Sequence, residues 1–331
     1  MKFQANINIA KPDSNIHFND KILLIGSCFT EHIGNALIQT KFDVVQNPSG
    51  ILFDPISVCN NLSYYLENIQ WNSQLLHCHD ELFYSWFHHG DFANISAQKV
   101  VNGINKAHQI GHEHLLSADW LIITLGSSFV YRLLHDNLKS VANCHRAPAH
   151  FFDKYLLQSN EIVNTFNKVI QNIRAVNSNI KIIFTISPVR HLRDGLIDNN
   201  KSKARLIEAV HNIVENNSAC FYFPAYELVI DVLRDYRYYD IDLSHPNYLA
   251  TSFVLSHFKQ TYFNEETVFY FEEVQALKTA QKHKRINPET KAHKDFMNKM
   301  KIVSLELQNK YPIKNFEEEI QHFSISTTSS A

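Results

Sequence analysis

The stretch Lys21-Ile22-Leu23-Leu24-Ile25-Gly26-Ser27-Cys28-Phe29-Thr30 constrains this chain more than any other. Four apolar residues run into a glycine, and two small nucleophile-type residues follow. Phe29, Ile33 and Leu37 then recur at helical spacing. The pattern predicts a strand over about 21–25, a tight turn, and a helix over about 29–40. A helix start carries partial positive charge and unpaired N–H groups. A thiol placed there is expected to ionise more readily, and the same N–H groups can hold an oxyanion. The chain has only 8 glycines, so one beside such a pair has positional meaning.

The rest of the chain repeats the unit. Asp43-Val44-Val45 reads as a second strand, ending at Asn47-Pro48-Ser49-Gly50. Asp54-Pro55 opens a helix to about Glu67, with proline in its first turn. Helices are expected over 96–115, 152–176 and 202–216. Strands are expected at Trp120–Leu125, Lys181–Ile186 and Cys220–Phe223, and Phe129–Leu134 with Lys139–Asn143 reads as a hairpin. This alternation predicts an α/β fold: a doubly wound, flavodoxin-like, five-stranded parallel sheet with helices on both faces. Residues 1–20 read as an edge strand or lead-in. Residues 68–95, rich in aromatics and histidine, read as an irregular or hairpin insertion. Further helices are expected over about 264–285 and 288–310, the latter with Phe296, Met300, Val303 and Leu307 on one face. The expected organisation is an α/β domain over 1–260, a helical extension over 261–323 and a disordered tail over 324–331. The lysines around 278–301 read as a solvated helical face.

Composition narrows the function. A chain of 331 residues with 45% hydrophobic residues has ample core, and a net charge of −2 argues against nucleic acid or an anionic membrane as partner. Residues 1–20 lack the apolar segment of a signal peptide, and no apolar run approaches the ~20 residues of a membrane span. The 5 cysteines are scattered and odd in number, which fits a reduced, cytoplasmic protein. Neither a Gly-x-Gly-x-x-Gly motif, a P-loop nor a Cys-x-x-Cys pair occurs, so no cofactor and no metal are expected. His77, His79, His88 and His89 are too loosely spaced for a convincing zinc site. His88 and His89 are better candidates for the rim of the active site.

In a doubly wound sheet, ligands gather at the carboxyl ends of the strands. Five polar stretches converge there: Ser27-Cys28, Asn47 to Gly50, Gly126 to Ser128, Ser187 to Arg193, and the loop after Phe223. On that last loop Asp242 and His245 stand three apart, just ahead of a helix. The carboxylate can accept from one imidazole nitrogen, which leaves the other to take a proton from a nucleophile. Arg190, His191 and Arg193 are placed to clamp an anionic group. Tyr236, Tyr238 and Tyr239 are expected to pack beneath the loop.

At this point the chain resembles the GSCFA family of the SGNH/GDSL hydrolase superfamily. Ile25-Gly26-Ser27-Cys28-Phe29-Thr30 nearly spells the name-giving motif, with Thr30 in place of its alanine. Asn47 to Gly50, Thr124-Leu125-Gly126, Val141 to His145, Ser187 to His191 and Asp242 to Asn247 are similar to that family's other blocks, in order, over about 21–260. The resemblance implies a hydrolase or acyltransferase acting on an ester, on a small molecule or a glycan. It places the nucleophile at Cys28, with Ser27 as the alternative, the base at His245 and its carboxylate at Asp242. It implies oxyanion donors in the N–H groups of Cys28 and Gly50. The block around Gly126 departs from the superfamily: Ser128 stands where an asparagine is usual, so Asn47, Asn143 or His145 is left to supply the side-chain donor. A non-catalytic ligand- or glycan-binding module on the same scaffold is the alternative.

Overall fold

Strands β1 (Lys21–Gly26), β2 (Asp43–Gln46), β3 (Trp120–Leu125), β4 (Lys181–Ile186) and β5 (Cys220–Phe223) pair in parallel in the order β5-β4-β3-β1-β2. This is the doubly wound α/β sheet expected from the sequence. The computed structural model describes residues 5–284 and 287–324. Helix α1 (Thr30–Gln39) covers one face of the sheet. Helices α2 (Pro55–Glu67), α3 (Ala97–Ser117), α4 (Ser159–Val176) and α5 (Leu196–Asn216) cover the other. The chain then returns to the first face with α6 (Tyr248–Tyr262), α7 (Glu265–Gln281), α8 (Lys291–Lys310) and α9 (Glu317–Ser324).

The unbroken apolar run of β1 follows from this layering, because a strand covered on both sides has no polar face. Ile22 and Leu24 point into the cluster with α1 and α6, while Leu23 and Ile25 point into the cluster with α2 to α5. The C-terminal helices share the first cluster: Tyr270, Phe271, Leu307 and Phe316 are buried with Phe42 and Phe263. Buried Glu319 of α9 is paired with Lys41 at 3.1 Å and with Lys278, which ties the last helix to the end of α1 and to α7. Strand β1 lies at the switch point, with β2 on one side and β3 on the other.

Two expectations are corrected. Residues 152–176 are not one helix. Phe152–Leu156 is a strand antiparallel to Phe129–Leu133, itself paired with Ser140–Val141. Arg132 Nε donates to Asp153 Oδ2 across the pair at 3.1 Å. The helix begins only at Ser159, where Gln158 and Glu161 form a capping box. Helix α5 starts at Leu196 rather than 202, on Gly195 at φ +81°. In the insertion, His77–His79 and Leu82–Tyr84 form a two-stranded hairpin. The lead-in over the described residues 5–20 forms no edge strand: its one bridge, Ile16 with Phe263, is to the residue that ends α6. Of the tail expected over 324–331, Ser324 ends α9 and the remainder lies outside the described residues. Among the described residues, no helix is long and apolar enough to cross a membrane.

Candidate active site

Gly26 closes β1 so near its neighbour that only glycine fits. A Cβ there would lie 2.2 Å from the Thr124 carbonyl oxygen, and φ is +146°. Ser27 N donates to that same oxygen at 2.9 Å, and the chain turns into α1 through Thr30 N to Ser27 O at 2.9 Å. The two side chains of the turn diverge. Ser27 is buried beside the Gly126 turn, and its Oγ has no hydrogen-bond partner among the described residues. Cys28 keeps part of its surface in solvent. Contrary to expectation, its thiol lies above the ordinary value. Burial is the main cause and the Glu31 carboxylate adds to it, outweighing the N–H groups of Phe29 and Cys28 and the charge of Lys203.

The second half of the site is the loop before α6. His245 Nδ1 lies 2.5 Å from Asp242 Oδ2, and Asp242 Oδ1 accepts the N–H groups of Ser244 and His245 at 2.9 and 3.0 Å. These hydrogen bonds, led by the His245 N–H, hold the Asp242 carboxyl down at about 2. The loop is fastened to the strand ends: Arg190 N, beyond β4, donates to Ser244 O at 3.1 Å, and Asp240 N donates to His245 O at 2.8 Å. The Arg190 guanidinium stacks on Tyr239 and Tyr236, at 4.3 and 5.0 Å from the ring centroids. Arg190 Nη1 is buried without a hydrogen-bond partner among the described residues; Tyr239 is buried, while Tyr236 stays exposed. His32 on the first turn of α1 and His191 beyond β4 are both held below the ordinary histidine value, chiefly by burial. The His245 Nε2 forms no hydrogen bond with Cys28 or Ser27, so the direct contact expected of a closed triad is not made here.

The oxyanion donors sort differently from expectation. Gly50 N donates to Asn47 O at 2.8 Å and is occupied. Ser128 is fully buried: its Oγ donates to Ser202 O at 3.0 Å, and its N–H donates to Ser202 Oγ at 2.8 Å. His145 Nε2 reaches Ser85 O at 2.9 Å and its ring stacks on Tyr84, so it braces the insertion. Asn143 Oδ1 accepts from His145 N at 2.7 Å. Asn47 is different. Its Oδ1 accepts from Gly26 N at 2.9 Å, which holds the amide beside the nucleophile turn, and its Nδ2 is buried without a partner among the described residues. His89 packs its Cβ against Gly50, with Nδ1 3.1 Å from Asp91. His88, in contrast, is buried away from the rim.

Gly126 joins the layers at the end of β3. Its N donates to Phe53 O at 2.7 Å, and its O accepts from Lys203 Nζ at 2.6 Å and from His191 Nε2 at 3.2 Å. Burial, then the charge of Lys203, lowers His191 to about 4, so its ring is neutral. Lys203 was not a candidate from the sequence. It falls on the buried stripe of α5 with Leu206, Val210 and Ile213, and a lysine in an apolar stripe is the signal that marks it. Beyond Phe53, whose ring meets His191, a cleft of about 410 Å³ opens between Asn143, His145, Arg146 and Arg193.

The fold defines a doubly wound α/β protein with a thiol turn and an Asp–His loop at the carboxyl ends of its strands. The chain belongs to the GSCFA family, whose model matches residues 21–258, and the model described as GSCFA domain protein, C-terminal domain, matches residues 274–328. No curated protein matches it. Among solved structures it is similar to an acetyl xylan esterase from the rumen bacterium Butyrivibrio proteoclasticus, with 13% identity and a TM-score of 0.37. That similarity covers 74% of this chain and 64% of the esterase, so the chain spans just under two thirds of the esterase's length.

Proposed function

We propose that this protein is an acyl-transfer enzyme of the SGNH type, a hydrolase or acyltransferase that works on an ester through a Cys-His-Asp arrangement. The observation that carries the reading is the Asp242–His245 pair at 2.5 Å, fastened by Arg190 N to the rim where the Gly26 to Cys28 turn emerges. Asp242 fixes the ring with its proton on Nδ1, leaving Nε2 as the base. The Cys28 S–H bond breaks, its proton goes to His245 Nε2, and its electron pair attacks the acyl carbon. The Cys28 N–H and Asn47 Nδ2 hold the oxyanion, and His245 returns the proton to the leaving alcohol. Water or a second hydroxyl then releases the acyl group. This step requires His245 Nε2 to come within hydrogen-bond reach of Cys28, directly or through one water. Cys28 is favoured over Ser27 because it is the accessible side chain of the two.

The test is a panel of acetyl and longer acyl esters on alcohols, aryl alcohols and sugars, run on the wild type, Cys28→Ala and Ser27→Ala. The expected result is turnover that Cys28→Ala abolishes, with a thioester-linked acyl group on Cys28 detected by mass spectrometry. Retained turnover in Cys28→Ala, lost in Ser27→Ala, moves the nucleophile to Ser27. No turnover anywhere, with saturable binding of an ester or glycan, favours a binding module.

A further inference from the structure

The cleft beyond Phe53 holds about 410 Å³, the size of a pocket for a small ligand. Gly126 links it to the nucleophile turn. The Phe53 carbonyl accepts Gly126 N at 2.7 Å and Ser127 N at 3.1 Å, and a Cβ added at Gly126 would meet Phe53 Cβ at 2.9 Å and Ser27 Cβ at 3.3 Å. The paired strands Phe129–Leu133 and Phe152–Leu156 give the cleft two further aromatic rings, Phe129 and Phe152.

Two cations from different elements line the same cleft: Arg146 on the loop after Val141, and Arg193 beyond β4. Both side chains are exposed, and neither guanidinium has a hydrogen bond or ion pair among the described residues. The neighbouring cations are engaged elsewhere. Arg132 pairs with Asp153, Lys154 pairs with Asp194 at 2.5 Å, and Arg190 stacks on Tyr239 and Tyr236. Of the three residues expected to clamp an anion, only Arg193 lines this cleft. The loop that presents Arg146 is held in place: His145 N donates to Asn143 Oδ1 at 2.7 Å, and Ala147 N donates to Cys144 O at 2.8 Å. Asp54 is the carboxylate on the lining, buried and occupied in capping α2 through Ser57 N at 2.9 Å, and burial keeps His145 neutral. Two positive charges against one negative suit a monoanion better than a dianion.

We propose that this cleft binds a carboxylate carried on a six-membered ring, the ring against Phe53, Phe129 and Phe152 and the carboxylate on Arg146 and Arg193. A guanidinium fork matches the two oxygens of a carboxylate, and aromatic walls take the face of a planar or sugar ring. With the ester chemistry proposed above, on which this step rests, the cleft selects an ester whose ring bears a carboxylate.

The test measures binding of 4-hydroxybenzoate, glucuronate, phenyl phosphate and phenol by calorimetry in the wild type, Cys28→Ala, Arg146→Gln, Arg193→Gln and the double arginine variant. The arginines are exposed, so their replacement spares the core. At least one of the two carboxylates should bind saturably and more tightly than phenyl phosphate or phenol, and which one binds distinguishes an aromatic from a sugar ring. Each single arginine variant should bind it about fivefold more weakly and the double variant more weakly still, while Cys28→Ala is unchanged. Failure of both carboxylates to bind, preference for phenyl phosphate, or affinity unmoved in the double variant overturns the proposal. Turnover is a separate readout. The kcat/KM for 4-acetoxybenzoate relative to phenyl acetate should fall in the arginine variants by the factor seen in binding. Arginine-dependent carboxylate binding without turnover of any ester keeps the cleft's ligand and removes the enzyme, and ester turnover without carboxylate binding does the reverse.

Discussion

The Nε2 atoms of His88 and His108 lie 2.9 Å apart between two fully buried rings. The tautomers follow from their other partners. His108 Nδ1 must donate to the Ile69 carbonyl at 2.8 Å, so its Nε2 can only accept. His88 therefore donates from Nε2 and accepts at Nδ1 from the Ser85 hydroxyl at 2.9 Å. One more proton on His108 would set two N–H groups against each other. The pair fastens the insertion to α3, and the next residue, His89, rests on the Gly50 turn.

This pair predicts acid sensitivity. Burial holds both histidines below their ordinary value of 6.5, His88 well below it. The unfolded chain then binds more protons than the folded one below about pH 6.5. The stabilising contribution is complete above that pH and is lost as pH falls toward the depressed folded values. The slope is on the order of 1.4 kcal/mol per pH unit for each proton taken up. Thermal melting between pH 7.5 and 5 should show a steeper loss in the wild type than in His88→Gln, although the variant is less stable at pH 7.5. Parallel curves would show that the pair is not the acid-labile element.

Gly50→Ala should be destabilising and should disturb the rim. The backbone there has φ +79°, and an added Cβ would lie 2.2 Å from the Cβ of His89. Strain of this kind costs about 1–3 kcal/mol before the clash is counted. Urea denaturation measures the loss, and a variant as stable as the wild type would mean that the 49–50 turn and His89 move apart freely.

The fold was legible because its strands are long apolar runs with turn chemistry at their ends. Trp120–Leu125 and Lys181–Ile186 can only be buried strands, and Asp54-Pro55 is a helix start by side-chain capping and fixed φ. Phe152–Leu156 was misread because its polar residues also suit a helix, and only pairing with Phe129–Leu133 decides between them. In the site, Asp242 and His245 were legible because their contact is local. Ser128, Gly50 and His145 were not, because whether an N–H or hydroxyl is free depends on remote acceptors such as Ser202 and Ser85. The expected ease of ionising Cys28 rested on the helix start and on His245 beside it. Burial and Glu31 are properties of the folded surroundings, and they reverse its sign.

Asn47 should behave as an oxyanion donor. Asn47→Asp keeps an oxygen for Gly26 N and removes the unpartnered Nδ2, whereas Asn47→Ala removes both. Loss of one oxyanion donor lowers kcat by about 10²–10³-fold. Both variants should fall in this range with KM little changed, since the contact forms with the tetrahedral intermediate and not with the ester. A loss confined to KM would make Asn47 a ground-state binding residue.

Asp242→Asn should separate orientation from structure. The loop is half-exposed, its backbone hydrogen bonds to Arg190 and Asp240 do not involve the carboxylate, and an amide oxygen can still accept the Ser244 and His245 N–H groups, so melting should fall only modestly near neutral pH. An amide can turn its NH₂ toward His245 Nδ1 and hold the ring in the tautomer whose Nε2 is already protonated, which cannot act as base. Loss of the corresponding carboxylate in a triad lowers kcat by up to about 10⁴-fold. The Asp242 carboxyl is held at about 2, so it stays ionised at any pH where the protein would be assayed, and what it contributes to the loop is lost only as pH falls from the usual carboxylate value toward 2. The acid limb of the pH–rate profile therefore belongs to another group, and in Asp242→Asn the whole profile should drop without that limb moving to the position of a titrating carboxylate. Full activity in Asp242→Asn would detach the Asp242–His245 pair from the chemistry and leave it as a turn that caps the approach to α6.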